Sequence, residues 1–204
     1  MRILGIDTTR KSAKIYITNN SSNYVESIDD KIKHSEGLFL YLEKSLLVNN
    51  LQLNDFDYFC GIVGPGSFTG IRVGMSVIKG FAKSLNKKVI TLNTFEIVKN
   101  YIKNGIMLLN STVSSCYYAD IRNGQIGETG IVEKSNISDK FNKNIYILEE
   151  EQNSIEIEYN NIEIISNISD LYFDALNKKI ESGDFGVFEP YYLQLSQAER
   201  NLNE

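Results

Sequence analysis

Apolar runs and polar breaks over the first hundred residues predict five strands and three helices. The expected strands are Arg2–Asp7, Ser12–Thr18, Asn23–Ser27, Tyr58–Val63 and Lys88–Thr91. The expected helices run from Ser35 to about Val48, from Gly70 to about Leu85, and from Asn93 to about Lys103. Short polar turns join the first three strands, which predicts an antiparallel meander.

The second half of the chain has a weaker pattern. Strands are expected at Ile106–Leu109, Ser114–Arg122 and Gln125–Glu133, and the last two are joined by the tight turn "RNGQ". Beyond Ser135 the periodicity is weak until a final helix that Ser169 caps and Gly183 ends. We therefore expect a smaller, divergent second half.

The order strand, strand, strand, helix, strand, helix, strand resembles the ribonuclease H-like half of the actin, sugar kinase and Hsp70 (ASKHA) superfamily. We expect an α/β fold; the resemblance implies two ribonuclease H-like halves, and the second half is expected to be reduced. The predicted domains are residues 1–100, carrying the helices for a partner, and residues 101–204.

Composition narrows the class of protein further. The net charge is −5 and the pI is about 5.1, which argues against a broad basic face for nucleic acid. No secretory signal or membrane-spanning stretch is apparent. Cys60 and Cys116 stand in apolar surroundings without metal spacing, so we expect reduced core thiols and a cytoplasmic location.

The segment "GIVGPGSFTGIRVG", residues 61–74, joins a strand to a helix and could cradle a phosphate. A P-loop needs a lysine directly after its last glycine, and neither Gly66 nor Gly70 has one. A dinucleotide-binding turn needs closer glycines than Gly64, Gly66 and Gly70. The turn residues of interest are Gly64, Pro65, Gly66, Ser67 and Thr69.

The glycines of the following helix indicate close packing instead. Gly70 and Gly74 share one helix face, whereas Ser76, Gly80 and Ser84 form a second row. Each interior glycine costs about 1 kcal/mol relative to alanine. A close approach by another helix or a sheet would compensate for that cost, and Gly66 with Ser67 can supply the turn and the helix cap.

The first helix is apolar on nearly every side, unlike a surface helix with one apolar stripe. One small sheet cannot cover all of these side chains, so the two helices are predicted to form a protein–protein interface. The predicted interface residues are Leu38, Tyr41, Leu42, Ser45, Gly70, Arg72, Gly74, Met75 and Ile78. If its partner is missing, such a surface can pair with a second copy.

The motifs "MRILGIDTT", "HSEGL", "GPGSFTGIRVGMSVIKGFAKSL" and "EPYYLQ" resemble those of the TsaB (YeaZ) family. The resemblance is strong up to Phe95 and sparse after it. It implies a non-catalytic partner of TsaD, bound through the helices of the N-terminal halves, in N6-threonylcarbamoyladenosine (t6A) modification of tRNA. It also implies that the ATPase TsaE joins the pair, that tRNA is engaged indirectly, and that TsaD transfers the group.

The same resemblance bears on metals and nucleotides. TsaD holds its metal through paired histidines, whereas this chain has the single histidine His34, so no metal site and no catalytic residue are predicted. Asp7, Thr8 and Thr9 match the phosphate-binding turn of ASKHA kinases or shape a hairpin turn. An ATP-dependent small-molecule kinase is the alternative function; otherwise ATP–Mg²⁺ is expected only in the complex.

Overall fold

The computed structural model describes residues 1–20, 22–29, 31 and 34–194, without the side chains of His34 and Ser35. The sequence-based expectations that Ser35 caps the following helix and that His34 caps or packs there therefore lie outside the described residues. The chain divides into two compact units. The first contains Met1–Asn93 and Ala175–Tyr191, and the second contains Thr94–Asp174 and continues from Tyr192.

The first unit is a five-stranded sheet with its two crossover helices. Its elements are β1 (Arg2–Asp7), β2 (Lys14–Asn19), β3 (Ser22–Ser27), α1 (His34–Val48), β4 (Tyr58–Ile62), α2 (Phe68–Ser84) and β5 (Lys88–Leu92). The strand order is β3-β2-β1-β4-β5. The β1–β2 and β2–β3 pairs are antiparallel, and the β1–β4 and β4–β5 pairs are parallel. The predicted meander and crossovers are confirmed.

The second unit repeats this arrangement. Its elements are α3 (Thr94–Ile102), β6 (Gly105–Asn110), β7 (Ser115–Arg122), β8 (Gln125–Glu133), α4 (Ile137–Lys140), β9 (Ile145–Leu148), β10 (Ile162–Ile165) and the first part of α5 (Ile168–Ser182). The order β8-β7-β6-β9-β10 has the same antiparallel and parallel pairs as the first sheet.

The reduction of the second half lies in its crossovers and not in its sheet. Where the first unit has α1 and α2, of 15 and 17 residues, the second has the four-residue α4 and a six-residue 3-10 helix at Glu149–Ser154. The sequence-based prediction missed β9 and β10 because each offers only four apolar-rich residues, "IYIL" and "IEII".

The division between the units differs from the boundary expected at residue 100. Helix α3 packs on β6, β7 and β8 of the second unit, because Phe95, Ile97, Val98 and Ile102 form its buried face. The segment Ala175–Tyr191 returns to the first unit. The first unit is therefore built from two separate stretches of the chain.

Several local signals read from the sequence are confirmed. In the "RNGQ" turn, Asn123 and Gly124 both adopt positive φ, as the tight hairpin between β7 and β8 requires. Gly183 follows the last residue of α5 with φ of +69°. Cys60 and Cys116 are buried thiols that are not joined in a disulfide, and burial raises the pKa of Cys116 to about 12. That pKa makes Cys116 a poor nucleophile.

A charged group ties the edge strand β3 to α1. The Glu26 carboxylate accepts hydrogen bonds from the Lys44 ammonium, at 2.5 Å, and from the Tyr24 hydroxyl. The hydrogen bond from Lys44 and then that from Tyr24 hold the pKa of Glu26 below its usual 4.5, although burial opposes them. Ionised Glu26 is therefore favoured by the folded state.

We expect Glu26→Gln to lower the free energy of unfolding by about 1 kcal/mol near neutral pH. Because the folded-state pKa is depressed, this contribution is present above about pH 4.5 and is lost as the pH falls through the folded-state value. Urea unfolding from pH 7 to pH 3 measures it. The exposed Glu43, replaced by glutamine, is the control, and equal effects of the two variants at all pH values would contradict the prediction.

Candidate functional site

The glycine turn begins α2 and rests on the hairpin between β1 and β2. Ser67 caps the helix, since its hydroxyl accepts a hydrogen bond from the Gly70 N–H at 3.1 Å. The Ser67 N–H donates to the Thr9 carbonyl at 2.8 Å, and the Thr8 hydroxyl donates to the Gly70 carbonyl at 2.6 Å. Two segments distant in the sequence are thus joined by one backbone–backbone hydrogen bond and by one bond from the Thr8 side chain to the Gly70 backbone. The predicted cap is confirmed.

Three glycines make this contact possible. A Cβ atom at Gly66 would collide with the Thr9 carbonyl, and one at Gly70 would collide with the Thr8 carbonyl. A Cβ atom at Gly74 would meet the Thr8 hydroxyl. The bare backbone of the turn and of the first part of α2 therefore packs against the chain's own hairpin, which is the close approach that the glycine spacing predicted.

Asp7 and Thr9 shape the hairpin turn that receives α2. Asp7 Oδ1 accepts hydrogen bonds from the Thr9 N–H at 2.8 Å and from the Thr9 hydroxyl at 2.7 Å. Asp7, Thr8 and Thr9 are each no more than 5% exposed. Of the two roles considered for this triplet, the structure shows the hairpin role directly.

The C-terminal motif "EPYYLQ" meets the same turn. The Tyr191 N–H donates to the Val63 carbonyl at 2.7 Å, and a Cβ atom at Gly64, which has φ of +122°, would lie 2.8 Å from the Tyr191 carbonyl oxygen. Nearby, the Thr91 N–H donates to the Phe185 carbonyl at 2.9 Å, along the edge strand β5. The sequence showed the motif but gave no sign of where it would pack.

The remaining turn residues differ in exposure. Pro65 is buried, whereas the side chains of Ser67 and Thr69 face solvent. Arg72, one turn further along α2, is exposed and stacks over the Phe68 ring, with 4.1 Å from the guanidinium carbon to the ring centroid. The glycine turn is therefore packed against the β1–β2 hairpin on one side. On the other side, Ser67, Thr69 and Arg72 are exposed to solvent.

Most of the residues predicted to contact a partner lie in the core of the first unit. The buried members are Leu38, Leu42, Ser45, Gly70, Gly74, Met75 and Ile78. Tyr41 is half-buried, and Arg72 is exposed. These seven are buried within the first unit, which differs from the exposure predicted for them, so the structure does not present them to an outside molecule.

The other sides of the same two helices form what we call the outer surface. Its apolar α1 members are 57–74% exposed: Phe39, Leu40, Leu47 and Val48. The exposed Glu43 lies between them on the same helix. Its α2 members are exposed and small or cationic: Ser76, Lys79, Gly80, Lys83 and Ser84. The Phe39 ring meets the half-buried Phe81 ring of α2 edge-on, with 6.5 Å between centroids, which connects the two helices.

Gly80 differs from the other glycines of α2. A Cβ atom there would have no neighbouring atom within 4 Å. Nothing in the described chain benefits from the missing side chain, although an exposed helical glycine costs about 1 kcal/mol relative to alanine. The outer surface thus combines four exposed apolar side chains with a flat, small-residue helix face.

Two classes of site are not found in the part of the chain that the structure describes. No group of three or more His, Cys, Asp or Glu side chains is arranged to hold a metal ion. Every described helix is too short or too polar to span a lipid bilayer.

Comparisons with known proteins agree on one family. The model of the family TsaD, tRNA N6-adenosine threonylcarbamoyltransferase, matches residues 29–173, more than half of the chain. The tRNA threonylcarbamoyladenosine biosynthesis protein TsaB of Buchnera aphidicola (subsp. Schizaphis graminum) is 26% identical over 153 residues, covering 69% of this chain and 73% of that protein.

A transferase and a solved structure extend the comparison. The tRNA N6-adenosine threonylcarbamoyltransferase of Kosmotoga olearia is 36% identical over 61 residues, covering 30% of this chain and 18% of that protein. The structure of YeaZ from Pseudomonas aeruginosa superposes with a TM-score of 0.73 at 14% identity, over 94% of this chain and 99% of that one. The predicted two-lobed α/β fold of the ASKHA type is confirmed.

Proposed function

This chain belongs to the TsaD family, as one of its TsaB/YeaZ members, and from that premise we propose that it is a non-catalytic subunit for t6A modification of tRNA. It binds the TsaD-type transferase through α1 and α2 and activates it as a scaffold. The observation that carries this proposal is the outer surface, where four large apolar side chains stand exposed beside the open Gly80.

The outer surface has the character of a protein interface. Exposed apolar side chains that lie together on a soluble domain are typical of sites that another protein covers. Gly80 and its neighbours Ser76 and Ser84 leave the backbone of α2 accessible to a close approach. A partner helix seated there would bury the apolar side chains of α1 and compensate for the cost of the glycine.

The lack of a catalytic role is supported by the chain's own residues. His34 is its single histidine, so the paired histidines of a TsaD-type metal site are missing. The Thr9 N–H at the β1–β2 turn is already bonded to Asp7, so this backbone donor is occupied within the chain. We therefore propose that the isolated chain has no ATP site and that ATP–Mg²⁺ acts only in the complex.

The remaining partners follow from the family. We propose that the ATPase TsaE joins the heterodimer and that this chain engages tRNA only indirectly, through the complex. We also propose that the protein acts in the cytoplasm. In the absence of the transferase, the outer surface would pair with a second copy of this chain, because the same apolar side chains would otherwise face water.

The proposal is tested by size-exclusion chromatography with light scattering on this chain mixed with the TsaD-type subunit of the same organism. One peak with the mass of a heterodimer is expected at micromolar concentrations. Leu47→Asp, on the outer surface, should abolish co-elution, whereas Val113→Asp should not, although Val113 is the more exposed residue at 95%. Two independent peaks for the unmodified proteins would contradict the proposal.

Calorimetric titration of ATP–Mg²⁺ into the isolated chain tests the alternative that this protein is a small-molecule kinase. Little heat is expected, because the Asp7 carboxylate is already hydrogen-bonded to Thr9 within the β1–β2 hairpin turn. Tight binding of ATP, together with failure to bind the transferase, would favour a small-molecule kinase.

A further inference from the structure

The stretch from β4 to the start of α3 contains no carboxylate. Between Asp57 and Glu96 there are five Lys and Arg residues and no Asp or Glu, in a chain whose net charge is −5. Helix α2 lies entirely inside this stretch. A local cationic surface on an acidic protein is a feature that overall composition does not explain.

Three of these cations, Arg72, Lys79 and Lys83, lie on α2 and are exposed. Among the residues that the structure describes, the side-chain ammonium groups of Lys79 and Lys83 have neither an ion-pair partner nor a hydrogen bond. Lys44 on α1, by contrast, is paired with Glu26. Among the cations of the two helices, Lys79 and Lys83 on α2 are therefore the uncompensated ones within the described chain.

Both an acidic protein surface and an RNA backbone could neutralise such charges. Here Lys79 adjoins the exposed Gly80 in the sequence and Lys83 follows one helical turn later. Helix α2 also packs beside α1, which carries the exposed apolar side chains. Apolar and small side chains are what a packed polypeptide contacts, whereas a phosphate backbone needs cations alone. The neighbourhood of Lys79 and Lys83 thus favours a protein.

We propose that the partner element that docks on the outer surface presents carboxylates opposite Lys79 and Lys83. This inference rests on the proposed function, since it specifies the chemistry of the subunit that binds there. Charges at the edge of an interface chiefly accelerate association and orient the partner, and salt screens them. The apolar side chains of α1 supply the binding energy, and the lysines set the rate and the register.

Association kinetics of the heterodimer test the inference, measured by biolayer interferometry at about 50 mM and about 500 mM NaCl, where screening differs severalfold. Lys79→Glu should slow association about tenfold at low salt, with a much smaller effect at high salt. Lys178→Glu is the matched control: it makes the same charge change at an exposed position of α5 and should alter the rate less than twofold.

Leu47→Asp separates failure of this inference from failure of the proposed function. If Leu47→Asp abolishes binding while Lys79→Glu associates like the unmodified chain at both salt concentrations, the acidic partner is refuted and the interface stands. If neither variant changes binding, both proposals fail. If Lys79→Glu binds the transferase normally but reduces retention of tRNA on filters, the lysines of α2 contact RNA and not an acidic protein. That result would overturn the inference.

Discussion

Replacing Gly70 with alanine is expected to lower the free energy of unfolding by about 3 kcal/mol or more, or to prevent folding. The added methyl group would collide with the Thr8 carbonyl, which is backbone and cannot turn away. Relief requires α2 to move off the β1–β2 hairpin, which breaks the hydrogen bond from the Thr8 hydroxyl to the Gly70 carbonyl. Urea unfolding followed by circular dichroism measures the change.

The control is the same substitution ten residues later in the same helix. Gly80→Ala meets no atom within 4 Å, so only helix propensity changes, and it should raise the free energy of unfolding by up to about 1 kcal/mol. The two variants thus differ in sign as well as in size. If they changed stability equally, the packing of the glycines on the hairpin would not be the reason for Gly70.

Replacing Gly80 with leucine should leave the isolated chain folded and at least as stable, yet weaken the heterodimer at least about tenfold. The new side chain points into open space, so it does not disturb the core. In the proposed complex it would occupy the place of the approaching partner helix and hold the two backbones apart. Thermal unfolding and calorimetric titration with the transferase measure the two effects.

Asn177→Leu controls for the addition of one exposed leucine, because Asn177 is exposed on α5. It should leave the affinity for the transferase unchanged within about twofold. A Gly80→Leu chain that binds as tightly as the unmodified one would show that nothing approaches α2 closely, and the docking of the partner on this helix would be refuted.

The fold of the first unit was predictable because its signals are long and consistent. Strand β4 is a continuous apolar run and α2 has a capping serine at its start, and both begin and end within two residues of the predicted positions. In the second unit, β9 and β10 are paired by backbone hydrogen bonds with strands distant in sequence. Four residues carry too little periodicity to reveal such pairing in advance.

The site was only partly predictable, because the sequence does not show which side of an apolar helix faces the sheet. Helix α1 is apolar on nearly all sides, and the structure turns Leu38 and Leu42 inward while Phe39 and Leu47 face outward. The glycines of α2 have two different roles, which the sequence alone does not distinguish. Gly70 faces the hairpin and Gly80 faces solvent, a distinction that depends on how the helix sits on its sheet.

The return of Ala175–Tyr191 to the first unit has a consequence for biosynthesis. This segment supplies the hydrogen-bond partners that close β5 and the end of β4, through Phe185 and Tyr191. During translation those residues leave the ribosome after all of Thr94–Asp174 has been made. The first unit therefore keeps an unpaired sheet edge until residues 175–191 have emerged. A nascent chain that stalls before that point leaves this edge open to pairing with other strands.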